Sequence, residues 1–438
     1  MTFPEQVKSF LWNTISDMAD NHWLFAKDPN VDFTRKRKLD FEKLMRFLIS
    51  RQCGTAAHEL LKYFDFDPQT ASVSAFHQQR SKLIPEAFHF LLHQFNSNFP
   101  FELYKGKYNL VACDGCEFNI ARNPDDPDTF NPPSGWSSQG FNMIHTISAF
   151  DILSKRYLDC VIQPGRQKNE FKALCEITDR YSYPGSPIFI ADRGFAAYNV
   201  FAHFNEKGIL FMIRAKDVNI KRLLNLESLP DAIDFRLDII LSRSQAKKNM
   251  KRPELAEQYR FISPDVAFDY IEPKSGGEYP LSLRAVRFEV SNGVFVNIFT
   301  NLPSDDFSTD EIKYLYSLRW SIEISFRDLK QTIGATCFNS KKVEYIGQEI
   351  WARLILFNFC AVITAHVVIA QGDTKYVYQV NFAMAIKICH HFIRIRERDP
   401  PPDVEALIGN YSLPIRNGRK YARRHRFLLP PSFCYRFS

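Results

Sequence analysis

The sequence lacks a cysteine framework: its nine cysteines are odd in number, irregularly spaced and often set inside apolar runs such as "NFCAVI". That pattern excludes a disulfide-stapled secreted fold and fits reduced thiols. Cys113 and Cys116 form a CxxC with no second pair, so a structural zinc site has no support. The opening "MTFPEQVKSFLWNTISDMAD" has acids and polar residues where a secretory leader needs an apolar core. The expected location is therefore cytoplasmic. Low-complexity tracts are missing as well. One stretch, Trp351 to Ala370, approaches membrane-spanning length, but Arg353, Asn358 and His366 within it would be costly in lipid. A buried core helix and no membrane partner are expected.

Acidic residues are absent from Ala406 to Ser438, where Arg416, Arg419, Lys420, Arg423, Arg424, Arg426 and Arg436 collect. A second basic cluster is "TRKRK", Thr34 to Lys38. The formal net charge of +7 is thus unevenly spread, and such clusters suit a polyanion, most often nucleic acid. A solvated face or a flexible basic tail is the alternative on charge alone.

What remains is an ordinary globular composition, 45% hydrophobic and 24% charged, over 438 residues, enough for two or three domains. Residues 1–104 read as a helical N-terminal region. "DFEKLMRFLISR" places Phe41, Leu44, Met45 and Leu48 on one face. "GTAAHELLKYF", the breaker "DFDPQT" and "SVSAFHQQRSKL" suggest a helix, a turn and a second helix resembling a major-groove reader. Gln78, Gln79 and Arg80 are side chains able to bond base edges; a plain polar helix face is the alternative.

From Tyr108 the pattern changes. "YNLVACDG" is an apolar run ending in Asp114, and "SPIFIADRGF" is another, ending in Asp192. Between them lie a hairpin ("FNMIHTISAFDI", "KRYLDCVIQ") and an amphipathic helix ("NEFKALCEITDRY"), followed after Asp192 by "AYNVFAHFNEKG" and "ILFMIRAK". Strands alternating with helices predict an α/β domain with a mixed sheet. The expected catalytic domain takes residues 105–217 and 301–371, interrupted by a mainly β insertion at 218–300. The insertion carries the basic "RSQAKKNMKR" and ends in a hairpin turned at "SNG". Residues 372–438 form a basic C-terminal region.

In "STDEIKYLYSLRWSIEISFRDLK", Ser308 and Glu311 have capping-box spacing, which predicts one long helix. Ile312, Leu315, Ile322, Phe326 and Leu329 make its apolar stripe; Tyr316, Arg319, Glu323, Arg327 and Lys330 make a second stripe beside it. A salt-bridged surface helix would account for this, since Arg319 and Arg327 each sit four residues from Glu323. But two strands end in aspartates, where α/β sheets collect ligands. Clustered carboxylates need a cation, and hard oxygen donors suit Mg²⁺ or Mn²⁺, two of which serve in-line phosphoryl transfer.

Tyr316, Arg319, Glu323 and Lys330 fit Y-x2-R-x3-E-x6-K, and with "VACDG", "IADRGF", "TNLP" and "FNSKKVEYIGQEIWARLILFNF" the chain resembles the insertion-sequence family-four transposases, the family of the Tn-five transposase. The resemblance runs from Tyr108 to Phe359. It implies a ribonuclease-H-like fold with catalytic, metal-binding Asp114, Asp192 and Glu323. It also implies two Mg²⁺ ions (Mn²⁺ substituting) and DNA contacts from Tyr316, Arg319 and Lys330, with Arg193, Lys341 and Lys342 as further candidates. The activity implied is cut-and-paste cleavage and joining of double-stranded DNA at inverted-repeat ends and target, by a synaptic homodimer. The family's well-studied member accommodates a flipped base with an insertion-domain tryptophan, but no Trp lies between Asp192 and Arg319 here. Phe295 or Phe299 is left to stack in its place. A domesticated nuclease and a sequence-specific DNA-binding regulator are the other readings.

Overall fold

The computed structural model describes residues 1–135, 137–224, 226–244, 258–273, 275–335, 338, 340–371, 375–396 and 399–415. The basic stretch from Arg416 onward and most of "RSQAKKNMKR" lie outside the described residues.

Up to Ser97 the chain forms five helices: α1 (Phe3–Asp20), α2 (Phe41–Ser50), α3 (Ala56–Tyr63), α4 (Val73–Arg80) and α5 (Glu86–Ser97). Local chemistry starts them. Thr2 and Glu5 close a reciprocal capping box on α1, and Asp40, Thr55 and Ser72 cap α2, α3 and α4 with side-chain oxygens. On α1 the residues spaced to share one face, Val7, Leu11, Ile15 and Met18, are buried, with Pro4 and Trp12 beside them.

Ten strands then build one mixed sheet. They are β1 (Tyr108–Ile120), β2 (Phe130–Asn131), β3 (Phe141–Asp151), β4 (Arg156–Pro164), β5 (Ser186–Ala191), β6 (Leu210–Ala215), β7 (Ile233–Ser242), β8 (Tyr259–Phe261), β9 (Glu278–Ser291) and β10 (Val294–Thr300). The order across it is β2-β3-β1-β5-β6-β10-β9-β7-β8, with β4 on β3. β1, β5 and β6 run parallel, and β3 and β10 flank them antiparallel. The expected "SNG" hairpin is there, with Gly293 at φ +72°, a conformation only glycine adopts easily. The insertion does not stand apart, because β10 pairs with β6 from Asn297 to Thr300 and carries the same sheet onward.

Alternation along the strands divides the core. On one face Val111, Cys113, Phe189 and Phe211 pack with Leu174 and Ile177 of α6 (Glu170–Arg180) and Phe201 of α7 (Tyr198–Glu206). On the other, Leu110, Ala112, Ile190 and Met212 meet the chain's later helices. After α8 (Asp217–Leu224) these are α9 (Thr309–Leu318), α10 (Trp320–Gln331), α11 (Val343–His366), α12 (Phe382–Arg394) and α13 (Val404–Gly409).

The long helix expected around Arg319 is two. Arg319 N–H bonds to Tyr316 O and Ile322 N–H to Arg319 O, a three-residue spacing that tightens the path and separates α9 from α10. Ser308 does cap α9, accepting from Glu311 N–H.

The apolar α11 is a core helix, with 94% of its most hydrophobic window buried. Its buried Gln348, Glu349, Arg353 and Asn358 are all engaged. Asn358 accepts from Tyr157 N–H (2.8 Å) and donates to Tyr157 O (2.7 Å) and Asn96 Oδ1 (2.9 Å), and Arg353 donates to Arg51 O (2.6 Å). Each such group left unpaired in the interior would cost about 1–3 kcal/mol.

Candidate active site

Register brings the two aspartates together. The last shared pair of the parallel strands β1 and β5 is Cys113 with Ala191, so Asp114 and Asp192 follow side by side at a strand spacing of about 4.8 Å. β1 continues past Asp114, whereas β5 stops and Asp192 caps a short turn, Arg193–Phe195, accepting from Arg193 N–H (2.7 Å). Asp114 accepts from Gly115 N–H (2.8 Å).

Glu323 arrives from α10, on the sheet face that Asp114 shares. Arg319 joins the two: Nη1 donates to Asp114 Oδ2 (3.2 Å) and Nη2 to Glu323 Oε1 (2.8 Å). Arg214 on β6 stands 3.9 Å from Asp192. Burial pushes the Asp114 carboxyl above its ordinary range; Gly115 N–H and Arg319 pull it down, while Glu323 and Asp192 push it up. Burial opposes the charge on Arg319, but Tyr316, Asp114 and Glu323 outweigh it and raise its pKa. The Tyr316 phenol is raised by burial, its hydroxyl enclosed without a hydrogen-bond partner and its ring 5.8 Å from the Arg319 guanidinium. This is a carboxylate cluster held together by an internal cation. It can exchange that cation for another, or lend it to a phosphate.

Asp114 and Asp192 open into a cavity of about 490 Å³ whose wall includes Glu170, Arg193, Lys216 and Asn219. Glu323 is not part of that wall, and among the described residues no three His, Cys, Asp or Glu side chains close on one point. Lys330 is half-buried with its ammonium 5.1 Å from the Phe118 ring centre. Arg193 is exposed at the cavity, and Lys341 and Lys342 are exposed where α11 begins. Arg327 pairs with Asp328 (3.7 Å) rather than with Glu323.

Three expectations need correction. Arg80 is fully buried and Gln79 nearly so, leaving only Gln78 of that trio exposed on α4. Arg80 donates instead to Gln348 (2.9 Å), Ser340 (2.8 Å) and Tyr345 O (2.8 Å) and pairs with Glu349 (3.3 Å), clamping α4 onto α11. Phe299 is 3% exposed and packed in the sheet core, so it cannot stack on a base; Phe295 is half-buried, 4.5 Å from the Arg287 guanidinium.

Sequence reasoning missed Glu170, His145, Lys216 and the exposed Trp320 beside Arg319. The available signal was the glycine trailing each aspartate, in "CDG" and "DRG". A larger cavity, about 580 Å³, lies between α1, α2 and the end of α12. Two of its arginines are already matched, Arg46 to Glu42 and Arg396 to Asp65, both at 2.6 Å.

The family model described as "Transposase DDE domain" matches residues 105–359. The transposase for insertion sequence element IS231E of Bacillus thuringiensis subsp. finitimus is 24% identical over 48% of this chain and 48% of its own length. Transposase InsG for insertion sequence element IS4 of Escherichia coli (strain K12) is 41% identical over 12% of each. The chain thus spans half or less of the curated relatives it matches. Among solved structures, a piggyBac transposase synaptic complex with hairpin DNA overlays at a TM-score of 0.44 and 10% identity, covering 93% of this chain and 84% of that one. That likeness is too distant to carry inference.

Proposed function

Since the chain belongs to the transposase DDE domain family, we propose that it is a DNA transposase that cleaves and rejoins DNA at the inverted-repeat ends of an insertion sequence. The observation that carries this reading is Arg319 bridging Asp114 and Glu323 while strand register sets Asp192 beside Asp114. A ribonuclease-H-like reading of the sheet rests on the same arrangement, with paired carboxylates where the parallel pairing of β1 and β5 ends.

The donor set fits hard divalent cations. Asp114 feels both other carboxylates, and the fold already balances them with a positive group. Asp114, Asp192 and Glu323 would hold Mg²⁺ or Mn²⁺, which supply Lewis-acid activation of water or a 3′-hydroxyl and charge relief at the leaving oxygen. The chain's own residues do the rest. Arg319 is placed to trade a carboxylate for a phosphate oxygen of the strand being cut, keeping its fork geometry. Lys330, Arg193, Lys341 and Lys342 supply further phosphate contacts, and Tyr316 backs Arg319. The DNA-binding role of the helical region then rests on the exposed Gln78 and the exposed loop Thr34–Lys38. A synaptic homodimer, and a cytoplasmic, nucleoid-associated location in a bacterium, belong to the same proposal.

The test is a labelled duplex bearing the flanking inverted repeat, incubated with Mg²⁺ or Mn²⁺, comparing wild type with Glu323→Gln. Metal-dependent nicking at the repeat end, lost in the variant while binding persists, is the expected result. Nicking without any joining would favour a domesticated nuclease. Binding with no cleavage by either protein would leave a regulator.

A further inference from the structure

Two glycines next to the catalytic aspartates make room for one side chain. A Cβ on Gly115 would lie 2.9 Å from His145 Cε1 and 3.3 Å from Glu170 Oε1; a Cβ on Gly194 would lie 3.4 Å from Glu170 Oε2. Glu170 therefore reaches in between the "CDG" strand and the "DRG" turn. It is the first residue of α6, whose cap Asn169 accepts from Lys172 N–H (3.0 Å), so the helix start fixes its backbone. His145, 3% exposed on β3, sets Nε2 3.1 Å from Glu170 Oε1, and its Nδ1 faces Glu117 at 4.0 Å. The imidazole at that distance also holds the Glu170 carboxyl below its ordinary range, although neither ring nitrogen of His145 makes an aligned hydrogen bond.

α6 covers the sheet face opposite α10. Glu170 thus reaches the cavity shared by Asp114 and Asp192 from the side that Glu323 does not occupy. A buried imidazole bracing a carboxylate that faces a reaction cavity is how outer-shell groups orient what the inner carboxylates bind.

We propose that Glu170, braced by His145, is a positioning residue that orients water at the Asp114–Asp192 end of the site. This rests on the transposase reading above. It predicts an asymmetry between the reaction's halves, because hydrolytic nicking consumes a water whereas joining uses a 3′-hydroxyl of DNA.

The experiment compares wild type, Glu170→Gln, Glu170→Asp, His145→Gln and Asp114→Asn, all full-length. Mn²⁺ binding is followed by electron paramagnetic resonance, and nicking of intact ends and joining of pre-nicked ends are timed separately. Glu170→Gln should weaken Mn²⁺ binding and, even at saturating Mn²⁺, slow nicking by roughly 10- to 100-fold, with KM for DNA unchanged and joining much less affected. His145→Gln should shift both in the same direction, and Glu170→Asp should recover part of the loss. Nicking and joining falling together, in step with a lowered Tm, would reduce the pair to a structural contact and overturn the proposal. So would Glu170→Gln matching wild type while Asp114→Asn loses Mn²⁺, although the transposase reading would then stand. Absence of Mn²⁺ binding and cleavage in the wild type would end both.

Discussion

Arg319 donates to Glu323 across 2.8 Å from one turn earlier, at the point where α9 gives way to α10. The break lets the guanidinium leave the helix stripe and reach Asp114 as well. Replacing it by alanine leaves two carboxylates facing one another. Arg319→Ala should lower stability by about 1–3 kcal/mol in chelator, part-exposure of the acids moderating the loss. It should also bind Mn²⁺ more tightly than wild type, because the competing cation is gone. Urea melts with and without Mn²⁺ check both; unchanged or weaker Mn²⁺ binding would count against the exchange of cations.

Arg80 is a structural residue. Its guanidinium is buried with four partners on or next to α11. Arg80→Ala removes one of the two arginines beside Glu349, which keeps Arg51 (3.6 Å) and Ser340 (2.8 Å), and takes the donor from Gln348 Oε1, for an expected loss of about 1–3 kcal/mol. Gln78→Ala should change stability by less than about 0.5 kcal/mol. Equilibrium denaturation of the two variants measures the contrast.

Acid should loosen the seam between α12 and α2. His390 Nε2–H donates to Ser50 O (3.0 Å), and burial first, then Arg353, lowers the His390 pKa from 6.5 to about 4. Above pH 6.5 folded and unfolded states both hold it neutral. As pH falls from 6.5 to about 4 only the unfolded state takes the proton, so stability drops by roughly 3 kcal/mol and then levels. Thermal melts from pH 7.5 to 4.5 should lose this slope in His390→Gln.

The two phenylalanines of β10 should behave differently. Phe299→Ala opens a core cavity beside Phe201 (ring centres 5.6 Å apart) and should cost about 3–5 kcal/mol. Phe295→Ala should cost far less, losing only a half-buried ring and its Arg287 contact. If Phe295 substitutes for an insertion tryptophan, its loss should lower the yield of hairpin product on cleaved ends without lowering first nicking.

The catalytic half of the fold was legible because its signals are long. The runs "YNLVACDG" and "SPIFIADRGF" are buried strands whose apolar residues leave little choice of structure, and the Tyr-Arg-Glu-Lys spacing covers four helical turns. The inward turn of Arg80 was not legible, because α4 has eight residues and only Phe76 as a large apolar anchor. Two turns cannot fix which face is inside. The split at Arg319 was hidden for another reason: nothing in "YLYSLRWSIEISF" breaks a helix, and the tertiary bond to Asp114 provides the pull. The insertion's merger with the sheet depends on β6 meeting β10 far along the chain, a pairing that local pattern does not encode.

The sheet also dictates a schedule. A ribosome releases Asp114 and Asp192 early, but β6 waits for β10, and Arg319 and Glu323 emerge only after that strand. A half-made chain carries the two aspartates without Glu323 and without Arg319, the guanidinium that bridges Asp114 to it. Translation order thus withholds the Arg319-bridged cluster until β10 and the helices after it have been made.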